Sequence, residues 1–217
     1  RRNPEFANWR YVRFEIPAEQ FAEALPVFHR KRFYGLNLTI PHKVQALDLV
    51  TEADREAQLM GAVNTLVRDE AGYRGFNTDG YGIRSGVYTD LNRQLRSADV
   101  VILGAGGAAR AAAVQCLHDG CNRLWIGNRS RDRLEALLAL LRGGYPDARV
   151  NGFDLADPPA EVPEEALVIN ATSLGMSPGD PLPVDPARFG RATGVYDMIY
   201  NPVETRFLAE AQKHGLQ

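Results

Sequence analysis

From residue 99 the chain reads Asp-Val-Val-Ile-Leu, then Gly104-Ala105-Gly106-Gly107-Ala108-Ala109, and few folds accept that order. The apolar run lacks two-residue alternation, which marks a strand covered on both faces, as in a parallel sheet. The glycines turn the chain sharply, and Ala108 and Ala109 let the following helix lie close to its strand. Gly104 permits the turn itself. Gly106 and Gly107 allow backbone to approach a pyrophosphate, which the free N–H groups and positive dipole end of the helix would hold. Alanine stands in the third position, so the spacing departs from a strict G-x-G-x-x-G. A glycine turn alone is a weak signal; a buried strand before it and a helix after it make it a dinucleotide site.

The neighbouring segments agree with that reading. A helix over about 80–95 leads into the strand 99–103, and a helix over 107–117 follows the turn. Then come a strand at 123–126, a helix at 131–141, and strands at 166–169 and 194–197. Strands alternating with helices predict a doubly wound parallel sheet. Residues 154–165, rich in proline and acids, read as a surface loop. In the front third, Tyr11–Ile16 alternates like a strand and stops at Pro17. Phe21, Leu25 and Phe28 give a helix over 18–30. A strand is expected at 36–40, and a helix opening at Pro41 and continuing through Val44, Leu47 and Val50. Two more strands, 62–68 and 73–76, are joined by a turn at 69–72. The fold class is therefore α/β in two domains, divided near 77–81 into residues 1–80 and 81–217.

After the second strand of the rear domain comes Gly127-Asn128-Arg129-Ser130, with Arg133 soon after. In dinucleotide folds this place faces the adenosine ribose; an acid there suits NAD, whereas arginine accommodates the 2′-phosphate of NADP. The bidentate guanidinium makes Arg129 and Arg133 phosphate partners, with Asn128 and Ser130 beside them. Asp132 serves the helix start. NADP is the expected cofactor.

Composition removes other function classes. A formal charge of −2, with acids and bases mixed, lacks the one-sided basic balance of a nucleic-acid binder. No apolar run approaches the roughly 20 residues that span a bilayer, and no secretory core is evident. With 45% hydrophobic and 24% charged residues, a packed core is expected rather than disorder. Cys116 and Cys121 have no further ligands nearby, so no metal is expected; two reduced thiols in a cytoplasmic protein are.

Three front segments carry concentrated polar chemistry: Asn37-Leu-Thr-Ile-Pro-His-Lys43, Gly61-Ala-Val-Asn-Thr65 and Gly75-Phe-Asn-Thr-Asp-Gly80. With the glycine turn, Asn170-Ala-Thr-Ser-Leu-Gly-Met176, and Tyr196-Asp-Met-Ile-Tyr-Asn-Pro202 with Thr205, they stand in one order over nearly the whole chain. In that order and spacing the chain resembles the shikimate dehydrogenase family. The resemblance implies an N-terminal α/β substrate-binding and catalytic domain and a C-terminal Rossmann-like NADP domain. It implies NADPH-dependent reversible reduction of 3-dehydroshikimate to shikimate, a step of chorismate and aromatic amino-acid biosynthesis. Lys43 and Asp79 would be catalytic. Thr39 and Asn64, with Lys43 and Asp79, would bind ring hydroxyls, and Tyr200 would line the substrate side. Asn170, Thr172 and Met198 would approach the cofactor, Met198 near the nicotinamide. His42 would fix the local turn. The chemistry suits the residues: a lysine beside an aspartate can hold the substrate oxygen and move its proton.

Quinate/shikimate dehydrogenase, a non-catalytic NADP-binding relative, and a module of a fused pathway protein are the rival readings. A small-molecule substrate is the expected partner, with no nucleic acid and no membrane; a homodimer is left open. The family's first strand and its Ser-x-Ser loop are not seen, Arg2 stands where a histidine is usual, and the Gly-Leu-x-Met-Leu segment with its glutamine is also missing. The expectation is a sequence drawn from a longer natural chain.

Overall fold

The computed structural model describes residues 6–39, 41–158, 160–192 and 194–217. Arg2 and Ile40 lie outside them. The front of the chain builds a four-stranded sheet, β1 (Gly35–Asn37), β2 (Glu52–Ala53), β3 (Thr65–Arg68) and β4 (Tyr73–Phe76), in the order β1-β3-β4-β2. β3 is antiparallel to both its neighbours, and β2 runs parallel to β4. Helix α1 (Phe21–Arg30), α2 (His42–Gln45) and α3 (Arg55–Met60) accompany it. Phe21 and Leu25 of α1 join Val63, Leu66 and Tyr73 in one buried cluster.

Tyr11–Ile16 forms no strand. Alternation makes a strand only where a neighbour takes its hydrogen bonds, and here aromatic packing takes over. The Phe14 ring packs on Phe28 and Phe33, and the Tyr11 hydroxyl donates to Asn37 Oδ1. The helix expected through Val50 also shortens: α2 ends at Gln45 and a 3₁₀ turn follows at Ala46–Asp48. Three elements were not foreseen. β2 has two residues. α3 is one and a half turns, started by Asp54, whose side chain accepts from the Ala57 amide at 2.6 Å, and ended by Gly61 at φ 66°.

Helix α4 (Asp79–Leu91) carries the chain to a second sheet. Its strands β5 (Asp99–Leu103), β6 (Arg123–Asn128), β7 (Val150–Asp154), β8 (Leu167–Asn170) and β9 (Gly194–Asp197) are all parallel, in the order β7-β6-β5-β8-β9. The third unforeseen element is β7, interrupted by Gly152, where a Cβ would press on Leu138 and Leu134. Helices α5 (Gly107–His118), α6 (Arg131–Gly144) and α7 (Arg206–Lys213) complete the unit. Val100 and Ile102 enter one core cluster while Val101 and Leu103 enter another, so β5 is covered on both faces. Successive side chains of a strand point to opposite faces, which is why an unbroken apolar run is needed there.

The chain moves outward from β5 to β7 and returns to place β8 on the other side of β5. That reversal opens a crevice at the carboxyl ends of β5 and β8, where such sheets bind ligands. The front unit docks beside it: α4 and α3 lie against α5, and α3 also touches α6. At Gly80 α4 passes close to α5, since a Cβ there would sit 2.5 Å from Gln115 Oε1. Among the described residues no helix is long and apolar enough to cross a membrane.

Candidate active site

The starts of two helices bring the acid–base pair together. Lys43 is the second residue of α2, and its carbonyl accepts from the Val63 amide at 2.9 Å. Asp79 opens α4 just after β4, with its own amide donating to Asn77 Oδ1 at 2.9 Å. Lys43 Nζ lies 2.8 Å from Asp79 Oδ2. The other carboxylate oxygen, Oδ1, accepts from Asn64 Nδ2 at 2.7 Å. The side chains of Lys43 and Asp79 are 28% and 40% exposed, so the pair is supported from behind and reachable from solvent.

Asn64 itself is only 8% exposed. Its Oδ1 accepts from Thr65 Oγ1 at 2.9 Å, the Thr78 amide at 3.0 Å and Thr78 Oγ1 at 3.2 Å. Its amide face is thus largely committed to aiming Asp79, a use the family resemblance did not suggest. Thr39 is exposed at the start of the α2 turn, where its carbonyl accepts from the His42 amide at 2.9 Å. The His42 ring stacks on Phe21 with centroids 4.6 Å apart. Tyr200 stands apart from this cluster. It is 91% exposed, on the loop after β9, and lines a cleft of about 530 Å³ with Met198, Tyr196 and Asp90.

The glycine turn sits at the crevice. Gly104 has φ 112° and donates its N–H to Gly127 O at 2.7 Å, and a Cβ there would meet Ala171 O at 3.1 Å. Gly106 caps α5. Cβ atoms built at Gly106 or Gly107 would meet nothing within 4 Å. These two positions therefore face open space rather than protein, and the first-turn amides of α5, with Ala105 and Ala108 flanking, have no partner within the helix. A pyrophosphate fits that cradle.

At the end of β6, Asn128 Nδ2 donates to Ser130 O at 2.8 Å, and Ser130 caps α6 by accepting from the Arg133 amide at 3.5 Å. Asn128 and Ser130 shape the turn, and Arg129 and Arg133 are exposed around it. Their positions suit a ribose phosphate: two cations with nothing but solvent or ligand to cover them from outside.

Asn170 does not reach that crevice. It is fully buried, donating to both oxygens of Asp197 at 3.1 Å and accepting from Thr172 Oγ1 at 2.8 Å. Thr205 Oγ1 donates to Asp197 Oδ2 at 2.7 Å, and the Ile199 amide to Oδ1 at 3.0 Å. Asn170 and Asp197 are register partners at the carboxyl ends of β8 and β9. The result is a brace that sets the loops carrying Thr172 and Met198, the latter through its amide to Asn170 O at 3.0 Å. The role of Asp197 was not foreseen; the signal available was an Asn and an Asp ending neighbouring strands. Burial raises the Cys116 thiol well above its usual value and pushes Cys121 up to about 12, which disfavours the thiolate at both. Among the described residues no group of three or more metal-ligand side chains occurs.

With this geometry in hand, known proteins give a consistent comparison. The family model for the shikimate dehydrogenase substrate-binding domain matches residues 4–66. The NADP(+) shikimate dehydrogenase of Geobacter metallireducens is 38% identical over 210 residues, covering 96% of this chain and 73% of that protein. Among solved structures, ligand-free 5-ketofructose reductase of Gluconobacter sp. strain CHM43 superposes with a TM-score of 0.85 at 33% identity, over 96% of this chain and 74% of that one. Shikimate 5-dehydrogenase of Thermus thermophilus, in complex with NADP(H) and shikimate, gives 0.75 at 34% identity, over 93% and 72%.

Proposed function

The chain belongs to the shikimate dehydrogenase family, and on that premise we propose that it reduces 3-dehydroshikimate to shikimate with NADPH, reversibly. The observation that carries the reading is the Lys43–Asp79 ion pair, held by Asn64 and standing next to a unit with an open phosphate cradle. We assign residues 1–80 to substrate binding and catalysis and 81–217 to the cofactor.

Bound NADPH supplies the hydride that goes to the ring carbonyl carbon. Lys43 donates a hydrogen bond to the carbonyl oxygen and, as the alkoxide develops, gives it a proton. Asp79 keeps the ammonium aimed and accepts from a neighbouring ring hydroxyl, while Asn64 prevents the carboxylate from swinging away. In the reverse direction Lys43 takes the hydroxyl proton. Thr39 borders the substrate beside the pair, Tyr200 would reach it only from the cleft it lines with Met198, and Asn128, Arg129, Ser130 and Arg133 would enclose the adenosine phosphate. The amides of 105–108 would hold the pyrophosphate, and Thr172 and Met198 would flank the nicotinamide. A homodimer would cover Tyr11, Tyr34 and Val67, exposed around β1; light scattering tests it.

The decisive test of function is loss of reduced-nicotinamide absorbance with 3-dehydroshikimate, run beside dehydroquinate and 5-ketofructose and with NADH in place of NADPH. The reading expects 3-dehydroshikimate with NADPH to give the highest kcat/KM. Preference for 5-ketofructose, the substrate in the name of the Gluconobacter relative, or for NADH, would replace it.

A further inference from the structure

The two units meet through an arginine that neither the glycine turn nor the acid–base pair accounts for. Arg110 is the fourth residue of α5, one turn beyond the phosphate cradle, and its amide donates to Gly106 O at 2.9 Å. Its side chain leaves the rear unit and closes the end of α3 in the front one. Nε donates to Leu59 O at 2.5 Å and Nη2 to Gln58 O at 3.5 Å. Both carbonyls belong to the last helical turn and carry its negative dipole end; Leu59 O has no partner inside the helix, while Gln58 O also accepts from the Gly61 amide at 3.1 Å. The guanidinium then covers Gly61: a Cβ at that residue would lie 2.6 Å from Nη1 and 2.7 Å from Cζ. Gly61 is thus required twice, for its φ of 66° and for the flat group lying on it.

The residues immediately after Gly61 hold the reacting pair. Ala62 O accepts from Asn77 Nδ2 at 2.9 Å, the Val63 amide donates to Lys43 O at 2.9 Å, and Asn64 Nδ2 donates to Asp79 Oδ1 at 2.7 Å. Asn77 in turn fixes the Asp79 amide. Three consecutive residues therefore touch Lys43, Asn77 and Asp79, and Arg110 pins the start of that segment to the helix whose first turn cradles phosphate.

We propose that Arg110 is a positioning residue for hydride transfer, setting the distance between the Lys43–Asp79 pair and the cofactor through the segment Gly61–Asn64. The inference rests on the reading of function given above, but the coupling it describes is a property of the protein alone. The guanidinium of Arg110 is engaged by protein, at Leu59 O, Gln58 O and the face of Gly61.

The test compares wild type, Arg110→Ala, Arg110→Lys and Gly61→Ala in the full chain. Amide exchange without ligand is read first: Arg110→Ala should speed exchange at residues 61–64 at least tenfold while core amides of β5 stay unchanged. Steady-state rates are read second. A displacement of about 1 Å can cost on the order of 10²-fold in rate, so kcat for Arg110→Ala should fall by about 30- to 100-fold. KM for both substrates and the Kd for NADP+ should stay within threefold, and the isotope effect with deuterated NADPH should rise. Arg110→Lys, which retains one contact to a carbonyl, should recover most of the loss, and Gly61→Ala should behave like Arg110→Ala. Unchanged exchange at 61–64 overturns the inference. So does an unchanged kcat, or a loss of NADP+ affinity, which would make Arg110 a cofactor ligand. If the wild type itself ignores 3-dehydroshikimate, the function falls, while the exchange measurement still decides the coupling.

Discussion

Replacing Asn64 by aspartate isolates the contact that aims the acid–base pair. The shapes match, and the substituted side chain keeps an oxygen for the three donors from Thr65 and Thr78. The donor facing Asp79 becomes a carboxyl oxygen, 2.7 Å from Oδ1. Two unit charges at that distance repel by about 6 kcal/mol at an effective dielectric of 20 and about 1.5 kcal/mol in water. Asp79 is 40% exposed, so an intermediate value of about 2–4 kcal/mol applies. The introduced carboxyl therefore holds its proton roughly 1.5–3 pH units above the ordinary aspartate value of about 3.9. A carboxyl raised in the folded state costs nothing at low pH, and its penalty grows as pH rises through the raised value. The stability gap between wild type and Asn64→Asp should thus be small near pH 4, widen through pH 5 and 6, and level off near pH 7 at about 2–4 kcal/mol. Urea unfolding of both proteins across that range measures it. A gap that is constant with pH, or below about 0.5 kcal/mol at pH 8, would mean that the Asn64–Asp79 contact is not made.

Lys43→Ala should lower kcat by about 10²–10⁴-fold, the usual contribution of a proton-transferring group, with NADP+ affinity nearly unchanged by calorimetry. Gly106→Val should leave the melting temperature almost unaltered, because its φ of −88° is open to any residue and a Cβ there meets nothing. The same variant should weaken NADP+ binding at least tenfold by blocking the cradle. Asp99→Asn tests a different pair: the Arg123 guanidinium holds the Asp99 carboxyl below its usual range. That stabilisation is present above about pH 4 and lost as pH falls through the lowered value, so the gap to wild type should close in acid. At neutral pH it should stay under about 1 kcal/mol, since the pair is part-exposed.

Most of the rear sheet was legible because β5 and β8 are continuous apolar runs and helices of 12 and 14 residues follow β5 and β6, a pattern with few competing interpretations. The front was harder. Tyr11–Ile16 has a perfect alternation but ends up packing rings rather than pairing, and β2 and α3 are too short to rise above local noise. Gly152 hid β7, because the reason for a glycine there is the Leu138 side chain on a helix elsewhere in sequence. At the site, the motifs singled out Lys43, Asp79 and Asn64, and their chemistry followed. What they could not convey is which atoms meet. Asn64 faces Asp79, Asn170 turns inward to Asp197, and Arg110 reaches carbonyls 51 and 52 positions away. Each depends on how units dock, which no single window of residues records.

Asp79 is the opening residue of α4, and α4 lies along α5, the helix that begins at the cradle. The gap that a hydride must cross is consequently a property of how tightly two rods lie side by side. Bulk inserted at Gly80, where a Cβ would press on Gln115 and Met60, would act as a shim that lengthens that gap. Turnover in this fold is exposed to drift at a seam that a catalogue of ligand contacts would pass over.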